Sequence, residues 1–267
     1  MTEFAKDYPR DDETGWLLFP SDTSWRRSLF PEEVMRHPAK MQMHLEKAII
    51  DYVSKPGDVI MDPTAGTGSV MIAALEGRLV ICLDIEERYH QLEQEGLERM
   101  QRLHPDMAPV TLLFGDCRFL LPIPCNHIIT SPPYAGALSA RKIRKGKYAD
   151  DAFEKLDRQM NEYTQNPRNL GKLNNFLYNQ AMERAYKLYY ESIQPGGTLT
   201  LVLKDRIKQG ERFPLVAWAD RVCLKLGLKP ILHDKWKTPG IQFTQINKMH
   251  GLEVVEDESI MIYRKEG

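Results

Sequence analysis

The chain lacks any apolar run long enough to cross a bilayer, and its first ten residues are too polar for a signal peptide, so a cytoplasmic protein without membrane contact is expected. Cysteine is scarce. Cys82, Cys117, Cys125 and Cys223 show no paired or metal-ligand spacing, which argues against a disulfide framework or a zinc site and fits free thiols in a reducing compartment. An excess of positive charge is also missing, since 36 Lys and Arg against 37 Asp and Glu leave a net charge of −1. A surface that held nucleic acid by uniform basicity is thereby excluded, and any phosphate contact has to be local. Repeats and low-complexity segments are absent, and 267 residues of ordinary apolar and charged content suffice for one α/β domain.

What is present is concentrated at predicted strand ends. The apolar run Ile128-Ile129-Thr130 reads as a buried strand that delivers Ser131-Pro132-Pro133-Tyr134 to an open sheet edge. The two prolines remove two backbone donors and fix two φ angles, so the turn offers carbonyl oxygens and the Ser131 hydroxyl as acceptors beside an exposed aromatic ring. Such partners suit an exocyclic amine on a flat base. The same four residues also fit a strand-terminating turn with a packed Tyr.

A second strand, Val59-Ile60-Met61, enters Asp62-Pro63-Thr64-Ala65-Gly66-Thr67-Gly68 and leaves into a helical pattern from Val70 to Leu75. Gly66 and Gly68 allow close backbone approach, but the spacing matches neither the dinucleotide fingerprint nor a phosphate loop, so a phosphate ligand is disfavoured. Asp62 suits a cationic amine instead. The next strand, Leu79 to Leu83, ends in Asp84 about twenty residues on, where a ribose-binding acid is expected, although an Asp there equally caps the following helix. A third, Val110 to Phe114, leads to Gly115-Asp116-Cys117-Arg118 and puts another carboxylate at the same edge. Together these describe a doubly wound sheet with one ligand crevice.

With those motifs in view, the chain resembles the S-adenosylmethionine-dependent amino-methyltransferases of DNA, which methylate cytosine N4 or adenine N6. The resemblance covers roughly 37–205 and rests on the set of motifs rather than on any one. It implies an α/β, doubly wound, mostly parallel seven-stranded Rossmann-like sheet. It also implies S-adenosylmethionine held by His37, Pro38 and Lys40 upstream, by Asp62, Pro63, Thr64, Ala65, Gly66, Thr67 and Gly68, by Asp84 and Ile85, by Asp116 and Cys117, and by Ser131. Thr64 stands where the family usually has an aromatic residue. Ser131, Pro132, Pro133 and Tyr134 match the catalytic motif, and a leading Ser is similar to the cytosine-N4 branch. The implied partners are double-stranded DNA and, in restriction-modification systems, a cognate endonuclease.

Around this frame, 1–36 reads as an N-terminal extension whose Trp16, Phe19, Trp25 and Phe30 pack on the domain edge or stack on substrate. The methyltransferase domain takes 37–267, with a polar insertion at 135–175 that reads as the substrate-contacting element. Within it Arg141, Lys142, Arg144, Lys145 and Lys147 are candidate phosphate contacts, the alternative being a solvated loop. A second basic stretch, 204–212, follows the next strand. A helix is expected over 176–190 and another over 213–226, with strands at 197–203, near Ile231 and at 260–263. Pro124-Cys125 is the nucleophile pair of cytosine-C5 enzymes, but it precedes the fourth strand, at the wrong end of the sheet to reach a base, so Cys125 is assigned a structural role. Adenine-N6 methylation, an RNA amino-methyltransferase and a catalytically silent nucleic-acid-binding subunit stay open as alternatives.

Overall fold

The computed structural model describes residues 3–37, 40–134, 166–208, 211–239, 249 and 251–267. In chain order the strands are β1 (Val59–Asp62), β2 (Leu79–Asp84), β3 (Val110–Phe114), β4 (Cys125–Thr130), β5 (Ile193–Leu203), β6 (Arg206–Lys208), β7 (Glu211–Phe213), β8 (Lys229–Lys237) and β9 (Asp257–Arg264). Seven of them form one sheet in the order β3-β2-β1-β4-β5-β9-β8, while β6 and β7 make a separate antiparallel pair. Only β9 opposes its neighbours in the large sheet. The order reverses between β1 and β4, and such a reversal opens a crevice at the carboxyl ends of the strands.

The helices are α1 (Thr23–Leu29), α2 (Met43–Val53), α3 (Glu87–Leu103), α4 (Cys117–Leu120), α5 (Asn175–Ser192) and α6 (Leu215–Lys225). They cover both faces of the sheet, which explains why its strands read as continuous apolar runs rather than alternating ones. Successive side chains feed opposite cores. Ile129, Ile260 and Ile262 join one with α1, α2 and α3, whereas Ile128, Met261 and Tyr263 join the other with α5 and α6. A fully buried Ile or Leu stabilises the fold by about 1.5–3 kcal/mol, so a one-residue slip that swapped the faces would be costly.

Residues 69–76 depart from the helical expectation by forming a 3-10 helix, entered through Gly68 (φ 73°) and left through Gly77 (φ 79°). Both glycines are left-handed, and a Cβ on Gly68 would meet Met71 Cε at 2.8 Å. Phe213, expected in a helix, belongs to β7, and β4 begins at Cys125, three residues earlier than predicted. Cys125 is therefore inside the strand, buried at its amino end with Sγ 3.8 Å from the Ser192 carbonyl, far along the strand from the crevice.

The N-terminal segment packs into the first core through Phe4, Leu17, Leu29 and Phe30. Leu17 also bonds the β8 edge, donating to the Lys235 carbonyl and accepting from Lys237 N, both at 2.9 Å, which covers an otherwise open strand. Of the four aromatics singled out in this segment, Phe30 is fully buried, Phe19 lies edge-on to Trp236, Trp25 tilts against His44 and Trp16 sits under the Lys235 ammonium. These contacts are packing contacts. Among the described residues no helix is long and apolar enough to cross a membrane.

Candidate functional site

At the end of β1 the chain turns through Asp62 and Thr64. Asp62 is buried, and its Oδ1 accepts from Thr64 N at 3.0 Å and from the Thr130 hydroxyl at 2.7 Å. Thr130 Oγ1 is also 2.8 Å from Thr64 Oγ1, so a three-residue ring ties the first turn to the end of β4. Burial pushes the Asp62 carboxyl up to about 6, against the bonds from Thr64 and Thr130.

Asp84, at the end of β2, braces the same turn. Its Oδ2 accepts from Gly66 N and its Oδ1 from Glu86 N, both at 2.8 Å. Gly66 takes φ 59° to present that amide, a conformation other residues rarely adopt. Helix α3 starts three residues on with Glu86 at its N-cap and no capping side chain, so Asp84 braces the turn and the approach to the helix without capping it. Burial pushes its carboxyl up to about 7, the bonds from Glu86 and Gly66 opposing and the Glu86 and Asp62 charges adding to the rise.

Two further acids lie behind the turn. Glu46 of α2, wholly buried beside Ser69, is pushed up to about 8 by burial, and Glu93 of α3 is raised well above the carboxylate range by burial and then by Asp84 and Asp62. Four buried carboxyls around one glycine turn make a region that resists negative charge. A cation placed there would relieve it.

The third strand contributes differently. Asp116 caps α4 by accepting from Arg118 N at 3.0 Å, and both its oxygens hold the Arg118 guanidinium, at 2.8 and 2.6 Å. Arg118 in turn donates to the Arg168 carbonyl at 2.6 Å. Both Asp116 oxygens are thus engaged within the protein. Cys117 next to it is buried, its thiol pushed up to about 12 by burial, and packs against the Tyr189 hydroxyl at 3.8 Å.

These elements close around a cavity of about 270 Å³. From the predicted set, His37, Lys40, residues 62–67, Asp84, Ile85, Asp116, Cys117 and residues 131–134 all line it. Gly68 shapes the turn without lining the cavity, and Pro38 lies outside the described residues, as do Arg141, Lys142, Arg144, Lys145 and Lys147. Lys40 spends its ammonium on the Met35 and His37 carbonyls. His37 sits edge-on to Tyr89, with ring centroids 4.6 Å apart, and contacts the glycine turn.

The turn after β4 corrects one expectation. Tyr134 is half-buried rather than exposed, packed against the second core, with the Ser131 side chain and the Lys204 main chain near its hydroxyl. Burial raises its phenol well above the ordinary value, with Glu258 and Tyr178 as charged or polar neighbours.

Sequence reasoning missed one wall of the cavity altogether. Asn166 and Asn169, read as parts of a turn, reach back some eighty positions to the start of α3. Asn169 Nδ2 donates to Glu86 Oε1 at 2.7 Å, Asn166 N to Glu86 Oε2 at 3.2 Å and Asn166 Nδ2 to the Ile85 carbonyl at 3.2 Å. With the Arg118 bond to the Arg168 carbonyl, this strap ties residues 166–170 to the ends of β2 and β3. Glu86, Arg118 and Asn169 accordingly join the site. Among the described residues no group of three or more His, Cys, Asp or Glu is arranged to hold a metal ion.

Comparison with known proteins adds to this picture. A family model described as DNA methylase matches residues 5–95. The curated protein "Putative methylase YubD" of Escherichia coli (strain K12) is 34% identical over 67 residues, which are 25% of this chain and 30% of that protein, so the match spans less than a third of the relative. Among solved structures, TrmN of Thermus thermophilus superposes with a TM-score of 0.52 and 14% identity over 85% of this chain and 50% of its own. Magnesium protoporphyrin IX methyltransferase (ChlM) of Synechocystis PCC 6803, solved with bound SAM, gives 0.52 and 11% over 93% of this chain and 99% of its own. The precorrin 8w decarboxylase of Methanobacterium thermoautotrophicum gives 0.51 and 13% over 92% and 99%. At these identities the likeness is one of fold: a Rossmann-like, mostly parallel seven-stranded sheet shared with methyltransferases.

Proposed function

We propose that the protein is an S-adenosylmethionine-dependent DNA methyltransferase that modifies an exocyclic amine, cytosine N4 in the first instance. The observation that carries this reading is the convergence on one cavity of residues 62–67, Asp84, Asp116 and the Ser131-Pro132-Pro133-Tyr134 turn. The partial match to a DNA methylase family model supports it.

The residues present fit the cofactor. Buried Asp62 and Asp84, both raised by desolvation, gain from a nearby cation such as an amino acid ammonium or a sulfonium. Ile85 and Leu170 offer apolar lining for a flat base. When bound, the cofactor supplies an electrophilic methyl group on positive sulfur. The chain's own work is to place the amine opposite it and to keep water out, catalysis by positioning and electrostatics.

An exocyclic amine shares its lone pair with the ring, so it attacks only when acceptors hold its hydrogens and favour a tetrahedral nitrogen. Ser131 Oγ has lone pairs to accept from that amine, with the Pro132 carbonyl as the second acceptor. Half-buried against the second core, the Tyr134 ring is a wall against which a base flipped out of the duplex rests. Adenine N6 is activated in the same way and is the second reading. Expression in a host free of DNA methylation, followed by mass analysis of its nucleosides, separates N4-methylcytosine from N6-methyladenine. Detection of neither, in DNA or RNA, would overturn the proposal.

A further inference from the structure

A second cavity, of about 240 Å³, lies between α5, the β6 and β7 pair, and α6. Its lining combines Trp218 and Phe213 with Arg206 and Arg221, and adds Asn175 and Tyr178. From these we infer a binding site for one nucleotide unit, a planar heterocycle with its phosphate, and assign it to a nucleotide of the DNA strand lying beside the target base. This inference rests on the DNA-directed reading above and says where a further part of that strand is held.

Four observations support it. First, the aromatic surface is fixed: Trp218 is half-buried with its ring centroid 6.0 Å from Tyr186 at 38°, so it presents a ready stacking plane. Second, the lining carries two guanidiniums and no acid. The neighbouring carboxylates are occupied, Asp205 by Arg212 and the amide of Val216, and Asp220 by the Tyr263 hydroxyl. Exposed Arg221 has no ion pair among the described residues. Third, Asn175 and Asn179 of α5 line the cavity and add amide donors and acceptors suited to a base edge. Fourth, the hydroxyl of Tyr178 lacks a hydrogen-bond partner among the described residues although the residue is 1% exposed. A buried hydroxyl with no partner is costly, and a base edge or phosphate oxygen would satisfy it.

Tyr178 lines this cavity and is an electrostatic neighbour of Tyr134, which lines the first. An apolar partner would leave the Arg221 guanidinium and the Tyr178 hydroxyl unsatisfied. A bare phosphate would leave the Trp218 and Phe213 faces unused.

The test uses the full chain and a labelled duplex, with affinity measured by anisotropy across salt concentrations and S-adenosylmethionine binding measured in parallel as a check on folding. Arg221→Gln should weaken duplex binding about tenfold at moderate salt and reduce the salt slope by about 0.9. Trp218→Ala should weaken it about tenfold or more, and Trp218→Phe should recover most of the loss. Neither change should alter cofactor affinity. If wild type binds duplex and both variants match it in affinity and slope, this site is refuted while the methyltransferase reading stands. If wild type binds no nucleic acid, the DNA-directed reading falls and takes this assignment with it. A third arm titrates dCMP against wild type and Trp218→Phe. Quenching specific to Trp218, with duplex affinity unchanged in the variants, would make the occupant a free nucleotide and overturn its assignment to a DNA strand.

Discussion

The four buried carboxyls make a quantitative prediction about pH. Asp84 rises from its ordinary 3.8 to about 7 on folding, mainly because burial penalises its charge. A group whose pKa is higher folded than unfolded gives its full stability below the unfolded value and loses it as pH rises through the folded one. At about 1.36 kcal/mol per unit, ionising Asp84 alone costs the ligand-free protein roughly 4 kcal/mol between pH 4 and pH 8. Asp62, raised to about 6, and Glu46, raised to about 8, act in the same direction. Their costs overlap, because Asp62 adds to the rise of both Asp84 and Glu46. The ligand-free protein should therefore melt at progressively lower temperature from pH 5 to pH 8. A bound cation offsets that charge, so saturating S-adenosylmethionine should stabilise most at the alkaline end and flatten the curve. Thermal unfolding across this range, with and without cofactor, measures both slopes. Asp84→Asn should flatten the ligand-free curve while losing one bond to the Gly66 or Glu86 amide. A ligand-free protein whose stability climbs from pH 5 to pH 8 would refute the reasoning.

Other perturbations address other parts of the site. Ser131→Ala should lower turnover at least tenfold while calorimetry shows unchanged cofactor affinity, because the amine contact strengthens in the transition state. Tyr134→Phe, which keeps the ring but removes the hydroxyl near Ser131 and Lys204, should leave the protein folded and raise KM for DNA; an unchanged KM would show that the hydroxyl is immaterial. Asn169→Ala removes the 2.7 Å bond to Glu86 and should weaken cofactor binding by about 1–3 kcal/mol through loss of the strap, which calorimetry would register. Replacing Arg141, Lys142, Arg144, Lys145 and Lys147 with Gln should flatten the salt dependence of duplex binding by about 0.9 per lost phosphate contact, and an unaltered slope would return that run to a solvated loop.

Much of the frame was legible in the sequence for a physical reason. Strands buried on both faces are apolar throughout, so 59–62, 79–84 and 197–203 stand out, the half-buried edge strand 110–114 is apolar as well, and a doubly wound sheet gathers whatever follows their carboxyl ends. That is why Asp62, Asp84, Asp116 and Ser131 could be named before any coordinates. The strap from Asn166 to Asn169 was not legible, because its value lies in bonds to Ile85 and Glu86 across a large sequence separation. Glu46 and Glu93 look like ordinary polar positions on amphipathic helices; only packing reveals that they face inward. The hydroxyl contacts of Tyr134 and the cavity between α5 and α6 likewise depend on where β5 ends relative to two distant helices. Asp84 was ambiguous because an acid at a strand end also fits a helix cap, a role it does not take: its bonds go to the Gly66 and Glu86 amides, and α3 has no capping side chain.

The central claim is transfer of a methyl group to an exocyclic amine of DNA at the Ser131 to Tyr134 turn. The purified protein, S-adenosylmethionine carrying an isotopically labelled methyl group, and unmethylated genomic DNA, digested to nucleosides and resolved by mass spectrometry, test it directly. Label in N4-methylcytosine from wild type, and its loss in Ser131→Ala that still binds cofactor, is the predicted result. Label in C5-methylcytosine, or equal labelling by wild type and Ser131→Ala, would contradict the account.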